Sequence, residues 1–484
     1  MTTNSKRLLA GGAITVLGQV LKASVQVCGL VVLSRVLQPE VFGAFAVMTA
    51  IIGLGELVRD FGLTPAAIQA ENLSDQQSSW LFWINLGIGS LLAALLALFS
   101  PLVASLYKEP TIESALPILG LAFVLLGAQA QYQVRLARES RFGALVLGDS
   151  LGQVVGYVSG IVLAISGCGI WALVAQQLLT QLTVLLFRVI ACGWWPERLK
   201  RGCRLRPFFR YGIGLGGAQL LTYASSNTDT FVIGYQFGAT ALGLYNRAFQ
   251  ILSLPVNQLL SPLTNVVLPT LSRIRDSPDR FNAALSRIQV LIGTGSVWLF
   301  CNAIIVADDA IRLVLGAQWI GSVPLFRLLA VGGIFQVFSF TTYWVMLSKA
   351  VTGHLFRYNL LTKLVTVLAI VLASFESVAW VAGAYAACLA ISWPVGVLWI
   401  RKVAETDAVS QLRVGGWIIG SGLAVASLGY WAGVRLSIAW FPIVAIANVT
   451  LFILFFGLKE FRCEVRNAGS VLRARFRSAR PESR

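Results

Sequence analysis

The chain has 484 residues, of which 57% are hydrophobic and only 12% charged. A soluble protein of this length carries roughly 25% charged residues, so the composition excludes a water-soluble globular fold and indicates a polytopic membrane protein. The net charge of +17 suggests a nucleic-acid surface in a soluble chain, but here the placement of the basic residues makes it a topology signal.

Apolar runs separated by charged or turn-rich breaks give about 14 candidate transmembrane helices. In chain order they lie near 9–34, 41–58, 79–106, 115–134, 143–166, 169–193, 209–236, 242–270, 288–314, 321–347, 356–375, 378–400, 412–432 and 438–458. The first follows Lys6 and Arg7 and is too long for the core of a cleaved signal peptide, so it is expected to stay as a span. Alternate connectors carry Arg135, Arg138 and Arg141; Arg198, Lys200, Arg201, Arg204, Arg206 and Arg210; Arg273, Arg275, Arg280 and Arg287; Arg401 and Lys402; and the basic tail from Lys459. With the N-terminus inside, about 30 of the basic residues are cytoplasmic, both termini are cytoplasmic, and no nucleic-acid partner is expected. The connector 59–78 contributes only Arg59 to this set. After span eight, "SRIRDSPDRFNAALSRI" alternates charged and apolar residues at helical spacing and predicts a helix lying on the cytoplasmic surface. The tail segment "VLRARFRSAR" either holds anionic lipid headgroups or is simply solvated.

The longest connector, "WPERLKRGCRLRPFF", is the natural seam. The expected organisation is therefore an N-terminal bundle over 1–193 (spans 1–6), a basic cytoplasmic linker over 194–208, and a C-terminal bundle over 209–400 (spans 7–12). Two additional spans over 401–458 and a basic tail over 459–484 complete it. The two halves begin alike. "LSRVLQPEVFGAFAV" lines up with "IGYQFGATALGLYNR", pairing Gly43 with Gly243 and Phe45 with Tyr245, and "LTPAAI" resembles "VLPTLS" further on. Repeats of this kind build two pseudo-symmetric bundles with a site where they meet.

Few motifs carry chemistry. "GIGLGG" (Gly212 to Gly217) fits GxGxxG, yet it lies inside a span with no preceding strand, so close helix packing through small residues explains it better than a dinucleotide site. No Walker A sequence is present, and the seven scattered cysteines and the single histidine, His354, make no metal-ligand pattern. No catalytic residue, metal or cofactor is expected.

Ionisable residues within spans are the informative ones, because each is unfavourable by several kcal/mol at mid-bilayer unless it meets water or a partner. Lys22, Arg247, Arg327 and Lys363 are such cations, spread over both halves and suited to a phosphate or diphosphate; Arg327 and Lys363 are also close enough to span ends to snorkel. The acids are Glu56, Asp149 and Asp229. Asp229 lies about nine residues before a turn at Gly238, roughly 13 Å deep, and Arg247 lies a similar distance beyond it. Either the two form a buried ion pair that fixes the hairpin, or Asp229 with the oxygens of Asn227 and Thr230 holds Na⁺ or a proton in one state and pairs with Arg247 in the other.

At "NTDTFVIGYQFGATALGLYNRAFQILSLPVNQLLSPLTNVVLPTLSRI" the chain resembles a polysaccharide exporter of the multidrug/oligosaccharidyl-lipid/polysaccharide (MOP) flippase superfamily, of the type that exports lipid-linked exopolysaccharide units. The Asn-x-Asp in span seven, the "LGLYNRA" hairpin, Pro255, the "LPTLSR" exit, and "LSRVLQPEVFGAFA" and "RDFGLTPAAIQ" in the first half carry the resemblance. It covers about 1–290; the last spans fit by number and hydropathy. The resemblance implies an all-α integral membrane protein of the bacterial inner membrane, V-shaped, alternating between inward- and outward-open states. It also implies a cationic cavity for undecaprenyl-diphosphate-linked oligosaccharide, with a polysaccharide polymerase and export machinery as partners beside membrane lipids. Two other functions compete. A cation-coupled multidrug antiporter of the same superfamily would favour acids over the buried cations seen here. A membrane polymerase or glycosyltransferase would call for a long outer loop or clustered acids, and Asp308–Asp309 is the one adjacent acidic pair.

Overall fold

A backbone inside a bilayer must satisfy its own polar groups, which for an open chain means helices. The computed structural model describes residues 24–198, 205–436 and 440–463. All elements among the described residues are helical: α1 (Ser24–Val36), α2 (Pro39–Asp60), α3 (Leu63–Gln69), α4 (Asp75–Tyr107), α5 (Pro110–Arg138), α6 (Phe142–Ile165), α7 (Ile170–Cys192), α8 (Arg206–Ser226), α9 (Thr228–Arg273), α10 (Pro278–Ile305), α11 (Ala307–Val314), α12 (Val323–Ser348), α13 (Thr352–Ala373), α14 (Val378–Ala404), α15 (Ala408–Leu436) and α16 (Trp440–Phe456). Ten of them are long and apolar enough to cross a membrane as single helices, and a bent pair within α9 makes an eleventh. This is consistent with the expected number of about 14, since α1 and α16 are shorter apolar helices and α8 and α9 cover expected spans seven and eight.

The 46 residues of α9 would run about 69 Å as a straight helix, more than twice the hydrocarbon thickness. They do not run straight. Gly238 adopts φ +80° and ψ −179°, a conformation that L side chains rarely accept. Across it the Tyr245 hydroxyl donates to Asp229 Oδ2 at 2.8 Å. Sixteen residues apart on one helix, these groups would be separated by about 24 Å. The hydrogen bond therefore requires the chain to turn back at Gly238, and α9 is a helical hairpin with arms 228–237 and 239–273.

The chain divides into two compact units: Met1–Asn246 with Val314–Gln318, and Arg247–Leu313 with Trp319–Arg484. In the first, α4 packs on α5, α6 on α7, and α5 on α7. The start of α4 is written in the sequence as a capping box: Ser74 Oγ accepts from the Gln77 N–H while Gln77 Oε1 accepts from the Ser74 N–H. The α6–α7 contact comes from glycines at every fourth position, Gly148, Gly152, Gly156 and Gly160. A Cβ at Gly156 would meet Thr180 Oγ1 at 1.9 Å and the Gln176 carbonyl oxygen at 2.7 Å, so only glycine lets the backbones come this close. Between the spans, α3 fills the connector expected at 59–78. Its Leu63, Ala66 and Ala67 form a buried cluster with Leu81, Val134 and Phe208. Arg138 donates to the carbonyls of Ala67, Ile68, Ala70 and Glu71 at its C-terminal end, the end where a cation is favoured.

In the second unit α12 packs on α14, and α10 on α15 and α12. The surface helix expected from "SRIRDSPDRFNAALSRI" is not a separate element. From Pro278 onward the segment forms the first turns of α10, and Phe281 and Leu285, its apolar face, are buried in the bundle. The expected ninth span, 288–314, ends earlier than hydropathy suggests. The chain breaks at Val306, and Ala307–Val314 forms the separate helix α11 with Asp308 and Asp309 in its first turn.

Candidate functional site

The seventh expected span is interrupted. α8 ends at Ser226, α9 begins at Thr228, and Asn227 stands between them with φ −118° and ψ 10°. Asn227 closes the end of α8 with its own side chain, its Nδ2 donating to the Tyr223 carbonyl at 2.9 Å. Thr228 Oγ1 donates to the Ala224 carbonyl at 2.9 Å. Asp229 follows in the first turn of α9 and is buried, at the helix end where a carboxylate is favoured. Its Oδ1 accepts from the backbone N–H of Thr230 at 2.8 Å and its Oδ2 from Tyr245. Thr230 is also buried. The Asn227, Asp229 and Thr230 singled out from the sequence are thus brought together at a broken span, joined by Tyr245, which the sequence reading placed in the repeat but not in the site.

Beside this break lies a cleft of about 390 Å³ lined by Leu57 of α2 and by Gln219, Thr222, Tyr223 and Ser226 of α8. Tyr223 crosses to α2, donating to the Ala50 carbonyl at 3.2 Å. Glu56, adjacent to Leu57, is half-buried. Arg59, one turn further on, is buried and donates to Asn85 Oδ1 and the Leu126 carbonyl, both at 3.2 Å. The sequence reading left Arg59 in a connector; the structure shows it inside α2, tying that helix to α4 and α5.

A second buried arginine was also missed. Arg188 on α7 donates to Asp149 Oδ1 at 2.9 Å and to Gln129 and Gln133 Oε1 at 3.1 Å, while Gln129 donates onward to Gln181 at 2.9 Å. Asp149, noted from sequence as a buried acid, thereby acquires its partner. The "LLFRVIAC" run placed Arg188 within an expected span, and that was signal enough to find it.

Three of the four cations expected from sequence lie among the described residues. Lys22 lies outside the described residues. Arg247 is buried in the second unit, donates to Gln250 Oε1, and has its guanidinium 5.8 Å from the Trp319 ring centroid. Arg327 pairs with Asp308, donates to the Ile304 carbonyl at 3.2 Å and stacks 4.4 Å from the Tyr430 ring. Lys363 is half-buried on α13. Asp229 and Arg247 fall in different units.

The two glycines aligned by the internal repeat meet each other. A Cβ on Gly43 would lie 1.7 Å from the Ala239 carbonyl oxygen, and one on Gly243 would lie 1.9 Å from the Pro39 carbonyl oxygen. The offset of 200 that pairs Gly43 with Gly243 also pairs Pro39 with Ala239. The two contacts are therefore one contact and its repeat-related copy.

A multi-span helical fold with a broken span bearing a buried carboxylate is an architecture suited to a membrane transporter. The chain belongs to the family described as "Polysaccharide biosynthesis protein", which matches residues 32–324, and at that level the resemblance to polysaccharide exporters is borne out. Among curated relatives, the teichuronic acid biosynthesis protein TuaB of Bacillus subtilis is 27% identical over 399 residues, 81% of each chain. The succinoglycan biosynthesis transport protein ExoT of Rhizobium meliloti is 25% identical over 330 residues, 68% of this chain and 67% of that one. The solved structure of the lipid II flippase MurJ in an inward closed conformation matches with a TM-score of 0.68 at 14% identity, covering 93% of this chain and 98% of MurJ; that likeness establishes the fold.

Proposed function

We propose that the protein is a flippase that carries polyprenyl-diphosphate-linked oligosaccharide repeat units from the inner to the outer leaflet of the bacterial cytoplasmic membrane, for export of an exopolysaccharide or O-antigen-type polymer. The observation that carries the reading is membership of a polysaccharide biosynthesis family on a fold shared with a lipid-linked sugar flippase. The halves 1–193 and 209–400 alternate access around the linker 194–208, with both termini cytoplasmic. Lys22 and Arg247 receive the diphosphate, for which paired cations are the natural ligands; Arg327 and Lys363 contribute positive charge nearer the span ends. The broken span supplies the coupling group: Asp229, with Asn227 and Thr230, exchanges Na⁺ or a proton as the halves rock, and Glu56 stands next to Leu57, which lines the cleft. A polymerase and export machinery receive the product.

The test is the leaflet in which the lipid-linked repeat unit accumulates when the protein is depleted. Accumulation on the cytoplasmic face with loss of external polymer is expected. Normal arrival in the outer leaflet without polymerisation would overturn the flippase reading in favour of a polymerase. Lys22→Ala should lower export at unchanged membrane abundance, and normal export in that variant removes Lys22 from the diphosphate site.

A further inference from the structure

The long arm of α9 has two unlike sides. Leu252, Val256, Leu260, Val267 and Leu271 are buried, and Val256, Leu260 and Leu263 line an apolar cavity of about 300 Å³ against α10 and α12. On the other side, Arg247 donates to Gln250, and Asn257, Gln258 and Asn265 are exposed. At 3.6 residues per turn Arg247, Gln250, Asn257 and Gln258 fall within an arc of about 100°, centred well away from the buried face, and Asn265 follows beyond the 44° bend between Gln258 and Pro262.

Pro255, Pro262 and Pro269 lie on the same arm at seven-residue intervals. A proline has no N–H, so each deprives the carbonyl four residues earlier of its helical donor. Those carbonyls belong to Ile251, Gln258 and Asn265, and their directions fall on or beside the polar arc. A helix face that meets lipid keeps its backbone bonds closed and shows no amides. This face does the reverse over a rise of about 27 Å from Arg247 to Asn265.

We infer that this face is a sugar-contacting track: the amides of Gln250, Asn257, Gln258 and Asn265, with the freed carbonyls, hydrogen-bond the hydroxyls of a neutral glycan whose diphosphate is held at Arg247. The inference rests on the proposed flippase function and specifies which surface meets the sugar. Amides offer both donors and acceptors, as hydroxyl-rich ligands require. Such a track binds sugars of several kinds, since spaced amides and carbonyls impose no single stereochemistry.

The test uses chains whose seven native cysteines are replaced by serine, each carrying Asn257→Cys, Gln258→Cys, Asn265→Cys or Val256→Cys. Inverted membrane vesicles are treated with a membrane-impermeant thiol reagent. They come from a strain that makes the lipid-linked repeat unit and from a sister strain whose initiating sugar-phosphate transferase is deleted. Positions 257, 258 and 265 should react in the sister strain and lose most of that reactivity when the repeat unit is present, while position 256 stays unreactive in both. Failure of all three to react in either strain would place the face against lipid and overturn the inference. Equal reaction in both strains, from variants that still carry the repeat unit to the outer leaflet, would also overturn it while leaving the flippase function standing. Equal reaction together with normal arrival of the repeat unit in the outer leaflet of cells depleted of the protein would instead remove the flippase function and the track with it.

Discussion

Asp229 accepts hydrogen bonds from Tyr245 and from the Thr230 N–H, and these contacts make different predictions testable. Tyr245→Phe removes one hydrogen bond to a charged acceptor and should lower stability by about 1.5–3 kcal/mol, read as a drop in the thermal unfolding midpoint of the purified protein. Asp229→Asn keeps the shape and removes the charge. Retained abundance with lost export is expected from a coupling group; lost abundance would assign Asp229 a structural role alone. Arg188 belongs to a different class. Its guanidinium is shared among Asp149, Gln129 and Gln133, and the Asp149 side chain is 40% exposed, so Arg188→Met should destabilise by about 1–3 kcal/mol, chiefly through the hydrogen bonds lost. Adding Asp149→Leu should then lower stability little further, and a double variant whose losses simply add would show that the network is not closed as described. At this scale the sequence was legible where an ionisable residue interrupts an apolar run, as with Asp229 and Arg247. It was not legible for Arg59, because a basic residue in the last turn of a helix and one in a connector look alike until the partners Asn85 and Leu126 are known.

Helices followed from hydropathy to within a few residues through most of the chain, since a span must present about 20 apolar residues whatever it packs against. What hydropathy misses is a break that preserves apolarity. The interruption at Asn227, the separation of α10 from α11 and the short α3 are set by local backbone geometry and by partners far along the chain, such as Arg138 on the end of α3. The amphipathic stretch beginning at Pro278 misled for a related reason: its apolar face suits a membrane surface, but equally suits the interior of a bundle, and Phe281 and Leu285 occupy the latter. The glycine ridge of α6 was open to reading as small residues at every fourth position. Gly156→Leu should force α6 and α7 apart, with about 1–3 kcal/mol of overpacking. The measurement is the amount of folded, detergent-stable protein, compared with Gly87→Leu, where a side chain meets nothing within 4 Å. Similar yields for the two variants would contradict the ridge.

Over the whole molecule, the faint internal repeat proved the most productive sequence signal, because it aligned two residues that turn out to touch. Gly43→Val and Gly243→Val remove the same approach from its two sides, one against Ala239 and the other against Pro39. They should impair export to a similar degree, and the double variant should do little further harm, since neighbours that share a contact are not additive. Fully additive losses would mean that the two glycines act separately. The reciprocity also says something about descent. Two identical half-length chains associating around a two-fold axis make each contact twice, residue i to j and j to i, and the pairs 43–239 and 243–39 have that form. A six-span ancestor with a single glycine at its self-association surface would have generated both contacts at once. Duplication and fusion of such an ancestor would make that encounter intramolecular, raising its effective concentration and freeing each copy to diverge. One copy could acquire the broken span and Asp229 while the counterpart stretch of the other, Val27 to Gly29 at the same offset of 200, stays within an unbroken α1.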